Sequence, residues 1–372
     1  MQWLLLLILI PYIYLIVRIH LSIARIKPFR PEVVPGTFVS VIVAFRNEQK
    51  NLPVLMSYLA IQDYDPELFE LIAVNDSSSD SSFESASSFI GIKNLKVINS
   101  KGKGKKMALR TGIEAAGGSI IITTDADCRM GIKWISTIMS FEAMHKPDMI
   151  ICPVRLEGGR GFFHRFQEIE FLSLQGITAG TAVSGNPVMC NGAALAFRRE
   201  EYLKHAGNLH DELASGDDVF LLHSIKKDSG KTILWLESAE ASATTHASGN
   251  LLSFLRQRGR WISKTGAYSD RFTKLLAIVT FVTISGQLLL LLAGLFSTLF
   301  PGIFAVYFVL KSIPDFLLLS GTSERYGKEV LLRWFLPSQL IYPFYATLTG
   351  LASNVRAFEW KGRKMKSLAV SN

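Results

Sequence analysis

The chain has 372 residues, of which 49% are hydrophobic, 19% are charged and 11% are aromatic. This aromatic content excludes a disordered chain, and no period of about 20–50 residues indicates a repeat architecture. The hydrophobic fraction alone does not distinguish a soluble protein from a membrane protein, so the distribution decides. Three stretches carry no charge, at 1–17, 275–310 and 334–355.

The first of these stretches is just long enough to span a bilayer. Basic side chains follow it at Arg18, Arg25, Lys27 and Arg30. The positive-inside rule therefore places the N-terminus outside and the middle of the chain in the cytoplasm. A cleaved signal peptide is the alternative, but the basic segment that would begin it is absent. We predict a transmembrane anchor over residues 1–30.

The second stretch is too long for one span and is interrupted by Pro301-Gly302. It predicts one spanning helix at about 275–298 and a second helix from about 302. Charge is costly in lipid, so Lys311 and Asp315 indicate that the second helix ends early or lies partly in the interface.

The third stretch, 334–355, is predicted to span as well. Three crossings would place the basic tail outside, against the positive-inside rule, so we expect one of the three not to be a full crossing. The C-terminal membrane region, with two to three helices, is predicted over 272–372.

The middle of the chain, predicted to be one domain over 36–271, alternates β-branched runs with helical segments. We expect five strands, at 38–43, 70–74, 95–99, 119–124 and 149–153, and helices at 51–61 and 106–116. This alternation predicts an α/β fold around a parallel sheet. Ligands in such sheets bind at the carboxyl ends of the strands, where acidic turns fall in this sequence.

The turn Asp125-Ala126-Asp127 follows the fourth predicted strand. Two carboxylates one residue apart can converge on Mg²⁺ or Mn²⁺, which also accepts phosphate oxygens as ligands. Such an ion would offset the charge of a leaving diphosphate. A solvated turn is the alternative, and the position after a buried strand favours the metal site.

Two further loops have both a structural and a functional interpretation. Asp76 ends the second predicted strand and either binds a nucleotide or belongs to a loop that caps the next helix. The lysine-rich loop 101–106 either holds a polyanion at a helix N-terminus or is simply solvated, and it matches neither a Walker A nor a G-x-G-x-x-G motif.

Two more segments carry groups suited to a transfer reaction. Asp217 and Asp218 precede an apolar helix, where one could be a helix cap and the other a general base, since adjacent like charges raise one pKa. In the segment 257–261 (QRGRW), the arginines could bind a diphosphate and Trp261 could stack on a sugar or an acyl chain. A membrane-interface helix is the alternative for this segment.

The cysteines, the net charge and the histidines indicate no further functional site. Three cysteines without C-x-x-C spacing predict neither a disulfide framework nor a zinc site. The net charge of +9 is spread along the chain without the aromatic–basic pattern of nucleic-acid binding. The histidines of the middle domain show no metal-ligand spacing and are expected to be structural or surface residues: His145, His164, His205, His210, His223 and His246.

Taken in order, these segments resemble the motifs of membrane-bound family 2 glycosyltransferases, the inverting branch with a GT-A fold. The matching segments are 39–48 (VSVIVAFRNE), 73–81 (AVNDSSSDS), 102–128 (with the DxD), 191–200 (NGAALAFRRE), 215–222 (E/D-D-x-x-L) and 257–261 (Q-x-x-R-W). A tail motif of some glycolipid-forming members resembles 360–363 (WKGR). The resemblance implies a nucleotide-diphospho-sugar transferase with a Rossmann-like, mostly parallel sheet and transmembrane helices.

The resemblance also implies a role for each motif residue. Glu48 and Asp76 would contact the nucleotide, Lys105 would lie near base or phosphate, Asp125 would hold the sugar and, with Asp127, the metal, Asp218 would be the base supported by Asp217, and Gln257, Arg260 and Trp261 would close over diphosphate and acceptor. Asp217 stands where Glu is commoner. The extra lysines leave the choice between Lys105 and Lys103 open.

The implied reaction is an inverting transfer from a UDP-sugar to a lipid or lipid-linked acceptor, with a β-linked product and Mg²⁺ or Mn²⁺ as cofactor. A processive polysaccharide synthase is the alternative within the family, and an inactive membrane scaffold is the alternative of another class. The expected partners are the donor, the acceptor and membrane lipids, with no nucleic acid. The expected location is the plasma (inner) membrane, with the catalytic domain in the cytoplasm.

Overall fold

The computed structural model describes residues 2–31, 33, 35–211, 213, 215–353, 358–360 and 363–365. The strands of the middle part of the chain are β1 Val39–Phe45, β2 Phe69–Asn75, β3 Leu95–Asn99, β4 Ile120–Asp125, β5 Arg129–Met130, β6 Met149–Ile151, β7 Val154–Glu157, β8 Leu195–Arg198, β9 Ile233–Trp235 and β10 Ala243–His246. All five strands expected from the sequence are present, with ends that differ by two residues at most.

A 3₁₀ helix, Gln2–Ile8, precedes the first α-helix. The α-helices are α1 Leu9–Ile23, α2 Leu52–Ala60, α3 Ser82–Ser87, α4 Lys105–Ala115, α5 Trp134–His145, α6 Phe162–Val183, α7 Arg199–His205, α8 Asp217–Lys227, α9 Leu251–Ile262, α10 Arg271–Ala293, α11 Phe300–Tyr326 and α12 Phe335–Ser353. A hairpin of β11 Phe358–Trp360 and β12 Arg363–Met365 follows. Lys361 and Gly362 of the predicted tail motif lie outside the described residues.

Seven strands form the central sheet in the order β3-β2-β1-β4-β8-β6-β9. The pairs among β3, β2, β1 and β4 are parallel, whereas β8 is antiparallel to both of its neighbours. The predicted α/β fold with a mostly parallel sheet is therefore confirmed. A second sheet, β5-β10-β7, lies beyond the DxD turn. The carboxyl ends of β1, β2 and β4 meet at one edge because these strands run in the same direction.

Each face of the central sheet carries its own hydrophobic core. Alternate residues of a strand point to opposite faces, so Val41 contributes to one core and its neighbour Ile42 to the other. Helices α2 and α5 cover the first face, and α4 and α8 cover the second. On the second face α4 packs tightly, because a Cβ at Gly112 would lie only 2.7 Å from Ile42 Cγ2.

Helix α6 joins the sheet domain to the membrane helices, and no pattern in the sequence predicted it. It packs against both α1 and α11. Two glycines on α6 permit the close approach, since a Cβ at Gly180 would lie 2.6 Å from Ile19 Cγ2 and one at Gly176 would lie 2.4 Å from Thr322 Oγ1. The division of the chain at residues 36 and 271 stays a prediction.

In the described part of the chain, three helices are long and apolar enough to cross a membrane: Trp3–Ile23, Arg271–Ala293 and Phe300–Tyr326. Helix α12 is not among these three helices. Residues 354 and 355 of the predicted span lie outside the described residues. That 334–355 spans the membrane, and that one of the three C-terminal stretches is not a full crossing, therefore stay predictions.

Helix α11 continues through Lys311, Pro314 and Asp315 without a break, so the expectation that it ends early is wrong. The charges are tolerated because they are paired. Lys311 Nζ donates to Asp315 Oδ2 at 2.7 Å, and Tyr12 of α1 donates to Asp315 Oδ1 at 2.5 Å. Gln339 of α12 accepts from Lys311 and donates to Asp315, which completes the hydrogen bonding of this charged pair.

Candidate active site

The carboxyl edge of the parallel strands collects charged side chains from distant parts of the sequence. Asp125 ends β4, and Lys105 begins α4 directly above the same edge. Lys105 Nζ donates a hydrogen bond to Asp125 Oδ1, and both side chains remain partly exposed. Lys103 is exposed at the outer side of the loop, so Lys105 is the lysine of this loop that reaches the acidic turn.

Lys105 also lies close to the second acidic motif, Asp217 and Asp218. Burial alone would lower the pKa of Lys105, but the carboxylates of Asp125, Asp217 and Asp218 outweigh it and raise this pKa. The two acidic motifs, which lie more than 90 residues apart in the sequence, therefore meet at one ammonium group.

Asp127 completes the acidic turn on the side of β1. Burial, together with the carboxylates of Asp125 and Glu48, raises the pKa of Asp127. Glu48 is fixed by Asn51, whose side-chain amide donates to Glu48 Oε2 at 2.8 Å. Thr245 of β10 contacts Asp127 Oδ2 at 3.4 Å. The turn therefore gathers more carboxylates than its single lysine neutralises.

Asp76 binds the backbone of the lysine-rich loop 101–106. Its side chain is completely buried, and Oδ1 accepts a hydrogen bond from the Gly104 amide at 2.9 Å. Gly104 precedes α4 with a φ of 100°, which is a conformation that favours glycine. In this arrangement Asp76 fixes the loop that presents Lys105, and its carboxylate faces the loop instead of solvent.

Asp217 and Asp218 begin α8 and differ in their surroundings. Asp218 Oδ1 accepts from the Val219 amide at 2.8 Å and Oδ2 from the Gly192 amide at 3.1 Å. Burial, followed by the Asp218 carboxylate, raises the pKa of Asp217. Burial opposes ionisation of Asp218 too, but Lys264 and the two amides lower its pKa. The sequence led us to expect a raised pKa at the base, but it is the pKa of Asp217 that is raised, whereas that of the predicted base Asp218 is lowered.

Lys264 is the site residue that the sequence analysis missed. Its Nζ lies 3.5 Å from Asp218 Oδ1, and its side chain is only 12% exposed. A Cβ on Gly216 would lie 2.7 Å from Lys264 Cδ, so the lysine stem packs on the turn that begins α8. Lys264 follows Trp261 by three residues, and this spacing from a motif on an amphipathic helix was the available signal.

Arg260 projects into the same charged cluster from α9. Burial lowers its pKa, while the carboxylates of Asp125, Asp217 and Asp218 act in the opposite direction. The structure assigns the Arg260 guanidinium no hydrogen-bond or ion-pair partner among the described residues. An arginine of this kind is suited to bind an anion in a bidentate manner.

Arg258 of the same segment has a different environment, inside the protein. It forms a buried ion pair with Glu170 of α6, in which Nε donates to Oε1 and Oε2 at 2.9 and 2.8 Å. Its guanidinium lies 4.2 Å from the centre of the Trp261 ring and also donates to Gln257. Of the two arginines expected to bind a diphosphate, Arg258 is engaged in this internal ion pair, whereas Arg260 lies near the carboxylates of both acidic motifs.

The segment 191–200 connects the two acidic motifs through Gly192. The Gly192 carbonyl accepts from Thr123 of β4 at 2.8 Å, and its amide donates to Asp218. The nearby Cys190 is no candidate nucleophile, because burial raises the pKa of its thiol. Burial does the same for Cys128 beside the DxD turn.

The residues of the acidic turn fit a hard divalent cation. Asp125 and Asp127 supply oxygen ligands, and the carboxylate of Glu48 lies close enough to Asp127 to raise its pKa in addition to the effect of burial. Mg²⁺ and Mn²⁺ prefer carboxylate, water and phosphate oxygens. Asp125 and Asp127 are therefore the residues that would hold the ion.

A family profile and the sequences of known proteins identify the same family. Residues 40–207 match the family profile described as Glycosyl transferase family 2. The glycosyltransferase AglE of Haloferax volcanii is 32% identical over 229 residues, which are 58% of this chain and 69% of AglE. An undecaprenyl-phosphate 4-deoxy-4-formamido-L-arabinose transferase of Aeromonas hydrophila is 36% identical over 93 residues, 24% of this chain and 28% of that protein.

Among solved structures, the mannosyltransferase PcManGT from Pyrobaculum calidifontis, in complex with GDP-Man and Mn²⁺, superimposes with a TM-score of 0.61. The match covers 94% of this chain and 99% of that one at 16% identity. This similarity establishes the fold as GT-A, as the motifs predicted.

The acidic turn predicts pH-dependent cation binding. Asp127→Asn should weaken Mn²⁺ binding at least about tenfold, because the ion loses an anionic ligand. A carboxylate must be ionised to bind, and its raised pKa makes protons compete from a higher pH than usual. Mn²⁺ affinity should therefore fall as the pH is lowered. Titration followed by electron paramagnetic resonance measures this, with Asp63→Asn as the control, and equal affinities would exclude Asp127 as a ligand.

Proposed function

The chain belongs to glycosyltransferase family 2, whose members act on nucleotide sugars, and we propose that it transfers one sugar from a UDP-sugar to a lipid or lipid-linked acceptor. The observation that supports this proposal is the convergence of Lys105, Asp125, Asp218 and Arg260 on one site. These residues come from four separate segments and combine groups for an anionic donor with a carboxylate base.

The donor diphosphate would lie between Arg260 and the acidic turn. Arg260 supplies a guanidinium in a partly buried setting, where an interaction with phosphate is stronger than in water. Lys105, now paired with Asp125, would exchange part of that contact for a phosphate oxygen. When bound by Asp125 and Asp127, Mg²⁺ or Mn²⁺ would offset the negative charge that develops on the leaving diphosphate.

Asp218 is proposed as the general base. A base must be ionised before it can accept the proton of the acceptor hydroxyl, and Lys264 with the Gly192 and Val219 amides keeps Asp218 in that form. The hydroxyl would attack the anomeric carbon on the face opposite the diphosphate. The product then has inverted configuration, which is β when the donor is α-linked.

The remaining motif residues are proposed to position the substrates. Trp261 would offer a flat surface for the sugar or the acceptor, and Arg258 holds its ring. Gln257 and Ser248 would close the adjacent wall, with 3.5 Å between Ser248 Oγ and Gln257 Oε1. Glu48 and Asp76 would shape the nucleotide side, where Asp76 acts through the loop that it fixes.

The position of α9 supports an acceptor delivered from the membrane. This helix packs against α12, and its N-terminal residues Leu251 and Leu252 are 59% and 58% exposed. Helix α12 packs in turn against the candidate spanning helix α10, and exposed apolar side chains near a bilayer are suited to contact lipid. A relative that acts on undecaprenyl phosphate is consistent with a lipid-linked acceptor.

The orientation proposed from the sequence also becomes consistent with three spans. If the N-terminus is outside, crossing through α1, α10 and α11 leaves the sheet domain, α12 and the basic tail on the cytoplasmic side. The conflict with the positive-inside rule came from counting 334–355 as a crossing.

Labelled UDP-sugars, added to the purified protein with a lipid extract, test the proposed reaction. We expect a chloroform-soluble product that gains a single sugar, identified by mass spectrometry. A ladder of chain lengths would instead establish the processive synthase, and neither transfer nor donor hydrolysis with any nucleotide sugar would establish the inactive scaffold.

Asp218→Asn should lower turnover about 10²–10⁴-fold, the usual contribution of a general base, while leaving donor binding nearly unchanged. Amide and carboxylate have the same shape, so the hydrogen bond from Gly192 can persist. Turnover and donor affinity are measured separately, by product formation and by calorimetry. Asp211→Asn, an exposed carboxylate outside the site, is the control. A near-normal turnover would remove Asp218 from the mechanism.

Lys264→Met should shift the acidic limb of the pH profile of kcat/KM to higher pH. Lys264 lowers the pKa of Asp218, so without this charge the base becomes protonated at a higher pH and activity is lost earlier on acidification. Lys264→Arg, which keeps the charge, should retain the original limb. The proposal that Lys264 tunes the base would be abandoned if both variants kept the wild-type limb.

A further inference from the structure

A second group of metal-ligating side chains lies on the far side of α8 from the acidic motif. Glu201 and His205 are separated by four residues on α7 and therefore share one face of that helix. Asp228 follows the last residue of α8 and faces them. The expectation that His205 shows no metal-ligand spacing overlooked this pair.

The ligand atoms are spaced as one small cation requires. His205 Nε2 lies 3.2 Å from Asp228 Oδ2 and 3.7 Å from Glu201 Oε2. All three atoms lie within 4.8 Å of one another. Ligands about 2.0–2.1 Å from a tetrahedral Zn²⁺ are about 3.3 Å apart, so small side-chain adjustments suffice.

Two of these atoms are buried and lack hydrogen bonds. Glu201 Oε2 and His205 Nε2 have no hydrogen-bond partner among the described residues, although their side chains are only 4% and 7% exposed. The two atoms are 3.7 Å apart, which is too far for a hydrogen bond, and the 3.2 Å contact of His205 Nε2 with Asp228 Oδ2 is an ion pair only when the imidazole is protonated. An unsatisfied buried polar atom is costly, and two that converge on one point indicate a missing electrophile.

The surrounding charges orient the group and leave negative charge in excess. Lys231 Nζ binds Glu201 Oε1 at 2.6 Å and Asp148 Oδ1 at 3.0 Å, which turns the other Glu201 oxygen toward His205. Lys204 contacts Asp228, but it is 55% exposed and can move into solvent. The carboxylates of Asp148, Glu201 and Asp228 thus face only two ammonium groups, those of Lys204 and Lys231.

A cavity of about 470 Å³ borders the group and includes His205 and Asp228 in its wall. It provides a path by which an ion can enter, and room for a water molecule as a fourth ligand. One imidazole nitrogen and two carboxylate oxygens are a donor set that suits zinc.

We propose that Glu201, His205 and Asp228 form a structural Zn²⁺ site that fastens α7 to the C-terminal end of α8. The eleven residues of α8 separate this site from Asp217 and Asp218 by about 16 Å along the helix. The ion is therefore distinct from the one at Asp125 and Asp127. Its role is to hold the helix whose first turn carries the proposed base.

The test uses the full-length purified protein after treatment with a chelator, with Asp127→Asn as background so that the acidic turn does not contribute. Zn²⁺ is titrated by calorimetry, and Co²⁺ replaces it as a spectroscopic probe. We expect one equivalent of bound Zn²⁺, an increase in Tm, and the intense visible absorption of tetrahedral Co²⁺.

His205→Asn should remove these signals, lowering Zn²⁺ affinity at least about tenfold. Asp228→Asn, at a less buried position, should do the same and guards against misfolding of the first variant; circular dichroism without metal verifies both folds. His164→Asn, at a partly exposed histidine elsewhere, should change nothing. Equal Zn²⁺ affinity and Tm shift in the His205 and Asp228 variants, or no tetrahedral Co²⁺ band in the background protein, would overturn the site.

The zinc site and the proposed transfer reaction are tested independently. Sugar transfer is measured with Mg²⁺ or Mn²⁺ and depends on Asp218, whereas Zn²⁺ binding is measured without donor or acceptor. Failure of one result therefore leaves the other intact.

Discussion

The arrangement of the candidate active site depends on neutralising carboxylates that the sheet brings together. Parallel strands end at one edge, so the acidic turn of β4 and the first turn of α8 approach each other in a partly buried place. Repulsion there would be destabilising without Lys105 and Lys264, each of which pairs with one acidic motif. Arg260 faces the same carboxylates and has no hydrogen-bond or ion-pair partner among the described residues, which is why we propose it as the group that binds the anionic donor.

The buried pair of Arg258 and Glu170 connects this site to the membrane part. It ties α9 to α6, and Tyr345 of α12 donates to the same carboxylate at 2.8 Å. Breaking such a pair by removing one partner usually costs about 3–5 kcal/mol, because a charge remains buried alone. The Q-x-x-R-W segment is thus held by helices that also contact the spanning bundle, so the acceptor side of the site and the membrane are parts of one packed unit.

The polar groups within the bundle follow the same rule. Lys311 and Asp315 are tolerated inside α11 because Tyr12 and Gln339 complete their hydrogen bonds. Partnering of this kind joins the first helix of the chain to the last ones, across about 300 residues of sequence. Lys311 and Asp315 therefore lie where α11 contacts α1 and α12, and α11 does not end at these charges.

The sequence by itself determined five strands of the sheet domain, the order of the motifs and the family, because β-branched runs, charge and short motifs are local properties. It did not predict α6, whose helix carries mixed polar and apolar residues and becomes recognisable only through its packing on α1 and α11. It gave no sign that Arg258 is directed into the protein or that Asp76 lies beneath a loop, and the spacing of Lys264 from Trp261 did not reveal that this lysine faces Asp218. Those roles depend on which side chains meet across long separations, and only the tertiary structure decides such contacts.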